Sequence, residues 1–483
     1  MIRFNAGAEE VSRSAGADRS SHAEGSPGRP MELLAPGNWE QGRRQPKYPK
    51  VLILSLNRVN AADGSNNSLL LKNLFSGWPR DNIAQIYSGG SNGDGGYWGN
   101  YYEIKAGDRR FGKTFFRIKR KETEACPQEP RPGGRPRGFS LARCARDCGR
   151  AVLLDGGWYE LVFALRISQQ MRAFIKQFSP DLIFAQGYSL GFSWLPVAIQ
   201  RFVGAPVCFH TSDDWPGNLY KGQALSWLMR PLVRYHARRL IANCSLCFGF
   251  SPAMCTAYQQ RYARAFHVLM NGDDHERFRQ ARPVEKTDPQ ATRIVYAGSV
   301  GHGRWESLLD LCAAVGDLRE RGFKIEIYAY ALHVTPELAL RLRRFDYLHL
   351  PEHPKHEELP AHLKAADILF LPESFDEEEA NSIGFSISSK AQLYMMSERP
   401  VLVYSHPLTG ISQYAAAEGW GLVLNCRDRV KLGEAVLRLM TDEGLRGQLV
   451  ERGVEVAKRR HDRNVIATGF AEKARQLVYG ALT

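Results

Sequence analysis

Short, wholly apolar runs that end in small polar loops recur along this chain and constrain its fold more than any other feature. The first is Val51-Leu52-Ile53-Leu54-Ser55-Leu56, followed by a loop containing Gly64 and a helical stretch over 68–75. Apolar runs without alternation are buried on both faces, the pattern of parallel strands covered by helices. The pattern returns at Leu182-Ile183-Phe184-Ala185, at Val207-Cys208-Phe209-His210, and at 247–251 and 266–269. A second series opens at Arg293-Ile294-Val295-Tyr296-Ala297-Gly298. It continues through 324–328, 348–350, 368–371, 400–404 and 421–424, with amphipathic helices at 430–440 and 443–460. Two βα series joined by the polar, Pro-containing stretch 276–290 predict an α/β protein of two doubly wound, Rossmann-like domains facing a central cleft.

The boundaries follow from composition. Residues 1–48 are rich in Gly, Ser, Pro, Arg and Glu without an apolar period, and are read as a disordered N-terminal extension. Met31 opens more ordinary sequence and is an alternative start. The expected domains are 49–275, with a basic insertion around 105–150, and 291–460; a last helix occupies 461–483.

No run approaches the ~18–20 apolar residues of a membrane span, and the N-terminus, with Glu9 and Glu10, lacks the apolar core of a secretory signal. Nine cysteines, an odd number spread over the chain, do not form a disulfide framework. Cys144 and Cys148, with Cys126 upstream, come nearest to metal-site spacing, but no fourth ligand follows, and no metal is expected. The expectation is a cytoplasmic protein.

The net charge of +13 is concentrated: residues 105–150 hold fourteen basic and five acidic residues. Such a segment suits anionic lipid, a phosphate-bearing substrate or nucleic acid, or is a solvated insertion. Its aromatic residues beyond Phe111, Phe115 and Phe116 are too few for base stacking, so nucleic acid is set aside. The stretch 221–242 sets Leu225, Leu228, Leu232 and Tyr235 against Arg230, Arg234 and Arg238, with Pro231 placed to bend it. It fits an anionic membrane surface, and equally a core-facing helix with solvated arginines.

Three places carry candidate chemistry. His210 ends a strand, where an imidazole meets polar ligands; the adjacent pair Asp213-Asp214 after it suggests a metal or, at least equally, an N-cap or turn. The loop Gly298-Ser299-Val300-Gly301-His302-Gly303-Arg304 precedes a helix; glycines let backbone approach a phosphate, and Arg304 adds a forked donor. Ser388-Ser389-Lys390 opens another helix with a point charge toward the cleft. A tight turn and a solvated lysine are the structural alternatives.

Taken in order, Phe250-Ser251-Pro252, Asn271-Gly272-Asp273-Asp274, Tyr296-Ala297-Gly298, Ala366-Asp367-Ile368-Leu369-Phe370-Leu371-Pro372, Ser389-Lys390 with Arg399-Pro400-Val401, and Gly419-Trp420-Gly421 resemble the GT-B glycosyltransferases of family 4 type. The resemblance spans roughly 50–475. It implies transfer, with retention of configuration, from a nucleotide-sugar donor held by the C-terminal domain to a polysaccharide or lipid-linked glycan acceptor held by the N-terminal one. It also implies that the last helix crosses back to the N-terminal domain. By the same resemblance His210 contacts the donor sugar, and Arg304 and Lys390 neutralise the leaving diphosphate without metal or other cofactor. Asn60, Gly64, Ser65 and Asn66 belong to a loop closing near the phosphates, and Gly298, Ser299, Gly301, Ser388 and Ser389 line the substrate.

One departure stands out. Family glutamates that contact sugar and ribose fall at positions occupied here by Phe385 and Leu393, leaving Glu373 or the run Glu377–Glu379 as substitutes. The expectation is a transferase peripheral to the inner face of the membrane; the alternative is a catalytically silent subunit that binds a glycan or a partner enzyme.

Overall fold

The computed structural model describes residues 48–60, 65–89, 96–114, 157–223 and 225–480. The extension read at 1–48 therefore lies outside the described residues but for Tyr48, as do Gly64, Cys126, Cys144, Cys148 and most of the basic insertion.

Among the described residues two parallel sheets form. The first holds β1 (Val51–Leu54), β2 (Ile83–Tyr87), β3 (Asn100–Glu103), β4 (Leu182–Ala185), β5 (Val207–Thr211), β6 (Leu246–Gly249) and β7 (His267–Val268), in the order β3-β2-β1-β4-β5-β6-β7. The second holds β8 (Thr292–Ser299), β9 (Ile325–Leu332), β10 (Leu348–His349), β11 (Ile368–Pro372), β12 (Val401–Tyr404) and β13 (Leu422–Leu424), in the order β10-β9-β8-β11-β12-β13. In each, the strand order reverses beside the first strand, which opens a crevice at the strands' carboxyl ends. β1 is central, Val51 pairing with Ile83 on one side and Leu182 on the other, and all four of its residues are buried.

Strands β2 and β3 are absent from the sequence reading; for β2, Gln85 shows why. It interrupts the apolar run Ile-Ala-Gln-Ile-Tyr yet is fully buried, because its Nε2 donates to Ser55 Oγ at 2.7 Å and to the Asn57 carbonyl at 2.8 Å. Its Oε1 accepts from Val59 N at 3.0 Å. A satisfied amide costs little to bury.

Local chemistry marks the helix ends. Ser189 caps Leu190–Val203 through Phe192 N, and Gly204 ends it at φ +79°. Ser251 caps Pro252–Tyr262, with proline in the first turn, where its missing N–H costs nothing.

The last helix, Arg463–Tyr479, packs on the outer face of the first sheet. Phe470 is fully buried, its ring 5.4 Å from Phe75 and 5.7 Å from Phe184, among Val51, Ile53 and Leu71. Two segments run side by side where the chain passes between the sheets. Asp273 N donates to the His461 carbonyl at 2.9 Å and Arg463 N to the Asp273 carbonyl at 3.1 Å. The buried His461 ring is held by the Asn271 carbonyl at 2.8 Å and by Tyr414 Oη at 2.9 Å.

Candidate functional site

The carboxyl end of β8 builds the first wall of the cleft. Tyr296 Oη donates to the Ser299 carbonyl at 2.5 Å, and Gly301 N donates to Ser299 Oγ at 3.2 Å, closing a tight loop. His302 and Gly303 take left-handed φ values of +54° and +69°, turning the chain into the helix Arg304–Glu320. A Cβ on Gly303 would strike Ser374 and Glu379, so glycine is required there both for its φ and for space.

Arg304, at the first turn of that helix, directs Nε to Glu373 Oε2 at 2.6 Å. Glu373 directly follows β11 and is almost wholly buried; Ser307 Oγ holds its carbonyl at 2.8 Å and its N–H donates to the Tyr404 carbonyl at 3.0 Å. Lys390 opens the helix Lys390–Met396 and lies across Gly298. A Cβ on Gly298 would land on Lys390 Cε and come within 3.2 Å of its Cδ and Nζ. The ammonium also sits 5.6 Å from the centre of the Tyr296 ring.

The charges of this cluster are interdependent. Burial pushes the Lys390 ammonium down to about 8, Glu373 works against that shift, and Arg304 adds to it. Burial also opposes charge on Arg304, but the Glu373 carboxylate outweighs it and raises the guanidinium further. Arg304 and Lys390 face Glu373, with the Glu379 carboxylate also acting on Arg304. A forked guanidinium and a point-charge ammonium beside it are donors that suit a polyanion such as a diphosphate.

Beside Lys390, Ser389 reaches a cavity of about 300 Å³ between the two sheets. Its walls are Leu56 and Asn57 after β1, Gln186 and Tyr188 after β4, Ser212 and Asp213 after β5, Phe250 after β6 and Asn271 after β7, closed by Ser386 and Ile387. Ser386 Oγ donates to Asp213 Oδ1 at 3.0 Å, and Ser251 Oγ to the Phe385 carbonyl at 2.6 Å. Lys221 meets Glu378 at 3.1 Å, a third tie between the halves. Tyr188 sits at φ +68°, a strained value for an aromatic residue, with its hydroxyl accepting from Ser212 N at 3.1 Å.

The residues singled out in the sequence divide. Arg304, Lys390, Gly298 and Ser299 come together, and Ser389 meets the cavity beside them. Gly301 lies in the same loop, but its N–H is already bound to Ser299 Oγ. Ser388 is half-buried and gives its carbonyl to Ala391 N at 3.0 Å. His210 is the residue expected to meet a sugar, and its Nδ1 has no hydrogen-bond partner among the described residues. It is fully buried within β5, Nε2 bonded to the Leu269 carbonyl at 3.1 Å, its ring 6.3 Å from that of Phe184, and it does not line the cavity.

The strand simply continues one residue past His210, so the side chains that emerge into the cleft are Ser212 and Asp213. The turn signal Ser212-Asp213-Asp214 marked that exit. Asn60 is buried away from the cavity, and Ser65 caps Asn66–Leu74 through Ser68 N at 3.4 Å. Gly64 and the Asn66 side chain lie outside the described residues, whereas Asn67, unremarked in the sequence, accepts Gln186 Nε2 at 2.6 Å in the cavity wall. Phe385 and Leu393 pack against the core, and Glu373 is committed to Arg304. Among the described residues no group of His, Cys, Asp or Glu has the arrangement of a metal site.

The comparisons with known proteins bear on the fold. A model of a glycosyl transferase 4-like domain matches residues 123–272. Among curated proteins, none matches. Solved structures share the fold: Anabaena Alr3699/HepE in complex with UDP and glucose aligns at a TM-score of 0.53 and 15% identity, over 88% of this chain and 99% of that one. Sucrose-phosphate synthase of Thermosynechococcus elongatus aligns at 0.55 and 14%, over 88% and 98%. The UDP-forming α,α-trehalose-phosphate synthase of Burkholderia vietnamiensis aligns at 0.54 and 12%, over 91% and 99%. The two-sheet architecture is the GT-B fold.

Proposed function

We propose that this chain, which has the GT-B fold and matches a glycosyl transferase 4-like domain over residues 123–272, is a glycosyltransferase in which Arg304 and Lys390 bind the diphosphate of a nucleotide sugar whose anomeric carbon lies at the mouth of the adjoining cavity, for transfer to a glycan acceptor. The observation that carries the reading is the placement of Lys390 over Gly298, beside Arg304 and one residue from the cavity wall. Bond cleavage leaves a negative pair on the departing diphosphate, and two preoriented cations stabilise that charge as it forms. The loop Gly298–Gly303 positions these groups, and the walls exclude water from the anomeric carbon. Transfer with retention, to a polysaccharide or lipid-linked acceptor, completes the reading by family resemblance. The Anabaena neighbour's complex with UDP and glucose makes UDP-glucose the first donor to test.

The test is transfer of labelled sugar from UDP-, GDP- and ADP-sugars, with the anomeric configuration of the product read by NMR. Turnover lost in Lys390→Ala with the fold intact supports the role; near-normal turnover in that variant refutes it.

The enzyme is further read as peripheral to an anionic membrane, on its cytoplasmic side. On the helix Ser226–Asn243, Trp227 is 70% exposed, and Leu228, Tyr235, Arg234 and Arg238 share the solvent side. An exposed indole among arginines suits the headgroup region. No described helix is long and apolar enough to cross a membrane.

A further inference from the structure

The cavity beside Lys390 is built unlike the cluster that would hold the diphosphate. Its polar groups are mostly amides and hydroxyls: Asn57, Asn67, Gln186, Asn271 and Ser386. Among the described residues lining it, the single charged side chain is Asp213, an anion. Leu56, Leu70, Phe250 and Ile387 supply apolar wall between the polar groups. Amides both donate and accept, as sugar hydroxyls do, and apolar wall suits the C–H faces of a pyranose ring. A phosphate ester only accepts hydrogen bonds at neutral pH, and a carboxylate on the wall repels it.

Asp213 is open to the cleft. Its Oδ1 takes the hydroxyl of Ser386, and its Oδ2 has no hydrogen-bond partner among the described residues. The surrounding walls hold its carboxyl above the usual carboxylate range by desolvation, with the Ser386 bond opposing, so a donor hydrogen bond from a ligand relieves part of that cost. Thr211 Oγ1 donates to the Asp213 carbonyl at 2.7 Å, and Tyr188 Oη holds Ser212 N, so the turn that presents the carboxylate is fixed from both sides.

We infer that Asp213 accepts a hydrogen bond from a hydroxyl of the acceptor, and that the acceptor group entering this cavity is an uncharged saccharide, not a sugar phosphate. This rests on the reading of the chain as a nucleotide-sugar transferase. Asp213 here is a binding and specificity residue; no proton transfer is assigned to it. The wall that carries it belongs to the first sheet, opposite the cationic pair, which is the side an acceptor must occupy to reach the anomeric carbon of a donor anchored at Lys390.

The experiment uses the full-length protein. Binding of UDP is measured by calorimetry, and transfer from UDP-glucose is measured to alkyl glucosides and maltose on one side, and to glucose 6-phosphate and fructose 6-phosphate on the other. The expected result is transfer to the neutral glycosides alone. Asp213→Asn should raise the acceptor KM ten- to a hundredfold while the UDP Kd and donor KM stay within twofold, and Asp213→Glu should recover part of the loss. A purely structural role would move donor and acceptor parameters together. Preference for the sugar phosphates, transfer to neither class while UDP still binds, or an Asp213→Asn effect confined to the donor KM overturns the inference alone. Absence of UDP binding by the unmodified protein overturns it together with the UDP-sugar reading beneath it.

Discussion

Lys390 occupies the space that a side chain on Gly298 would need. The ammonium proposed to meet the diphosphate has room to lie there because the strand end beneath it has no Cβ. Gly298 also sits at φ +143°, a backbone conformation an L-residue rarely adopts.

Gly298→Ala therefore strains the loop and displaces Lys390 together. The expected outcome is a fall in kcat/KM for the donor of about a hundredfold, on the order of losing one preoriented charge donor. Unfolding should remain cooperative, with stability lowered by about 1–3 kcal/mol from the unfavourable φ. Donor kinetics and urea unfolding check both halves.

The depressed Lys390 pKa carries a pH prediction. The group is charged below about 8 and neutral above it, so kcat/KM for the donor falls as pH rises through that value. Lys390→Arg, which stays protonated, should retain activity to higher pH even if its maximum is lower. The linked stability effect has the opposite sense. Between about 8 and the ordinary lysine value the unfolded chain binds the extra proton, so native stability rises with pH across that window.

His210 and His461 are both buried and neutral, pushed down to about 4 chiefly by desolvation. Each is depressed in the folded state, so stability falls as pH drops from about 6.5 toward 4, by up to about 3 kcal/mol for each ring. His210→Phe should remove one ring's share of that acid sensitivity. It leaves the Leu269 carbonyl unpaired, at about 1–3 kcal/mol, and kcat/KM should stay within about threefold of the unmodified enzyme. Unfolding curves at pH 4.5, 5.5 and 7, with turnover beside them, are the measurement.

The fold was largely legible in the sequence because parallel strands buried on both faces leave continuous apolar runs, as β1, β8 and β11 do. Where that rule fails the reason is local. β2 carries Gln85, whose polarity is cancelled by Ser55 and the 57–59 backbone, contacts that no spacing in the sequence shows. The same limit governs the site. Arg304, Gly298 and Lys390 stand at strand ends and helix starts, positions that periodicity marks. His210 looked equivalent, but its strand extends through Thr211 and keeps the ring inside. The pairing of Glu373 with Arg304 joins residues far apart in sequence and needed the fold.

Trp227→Ser combined with Arg234→Ser is expected to weaken binding to vesicles containing phosphatidylserine by about tenfold or more, since each basic residue near such a surface contributes about 1 kcal/mol. Turnover on a water-soluble acceptor should be unchanged. Cosedimentation at low and high salt reads the effect, and binding of the variant equal to that of the unmodified protein at low salt would remove this face from the account.

Calorimetric titration of UDP, GDP and ADP into the unmodified protein and into Lys390→Met tests the central claim most directly. The account predicts that one nucleoside diphosphate binds the unmodified protein and that Lys390→Met weakens it by about a hundredfold. Binding that is unchanged in Lys390→Met, or no binding of any of the three to the unmodified protein, would contradict it.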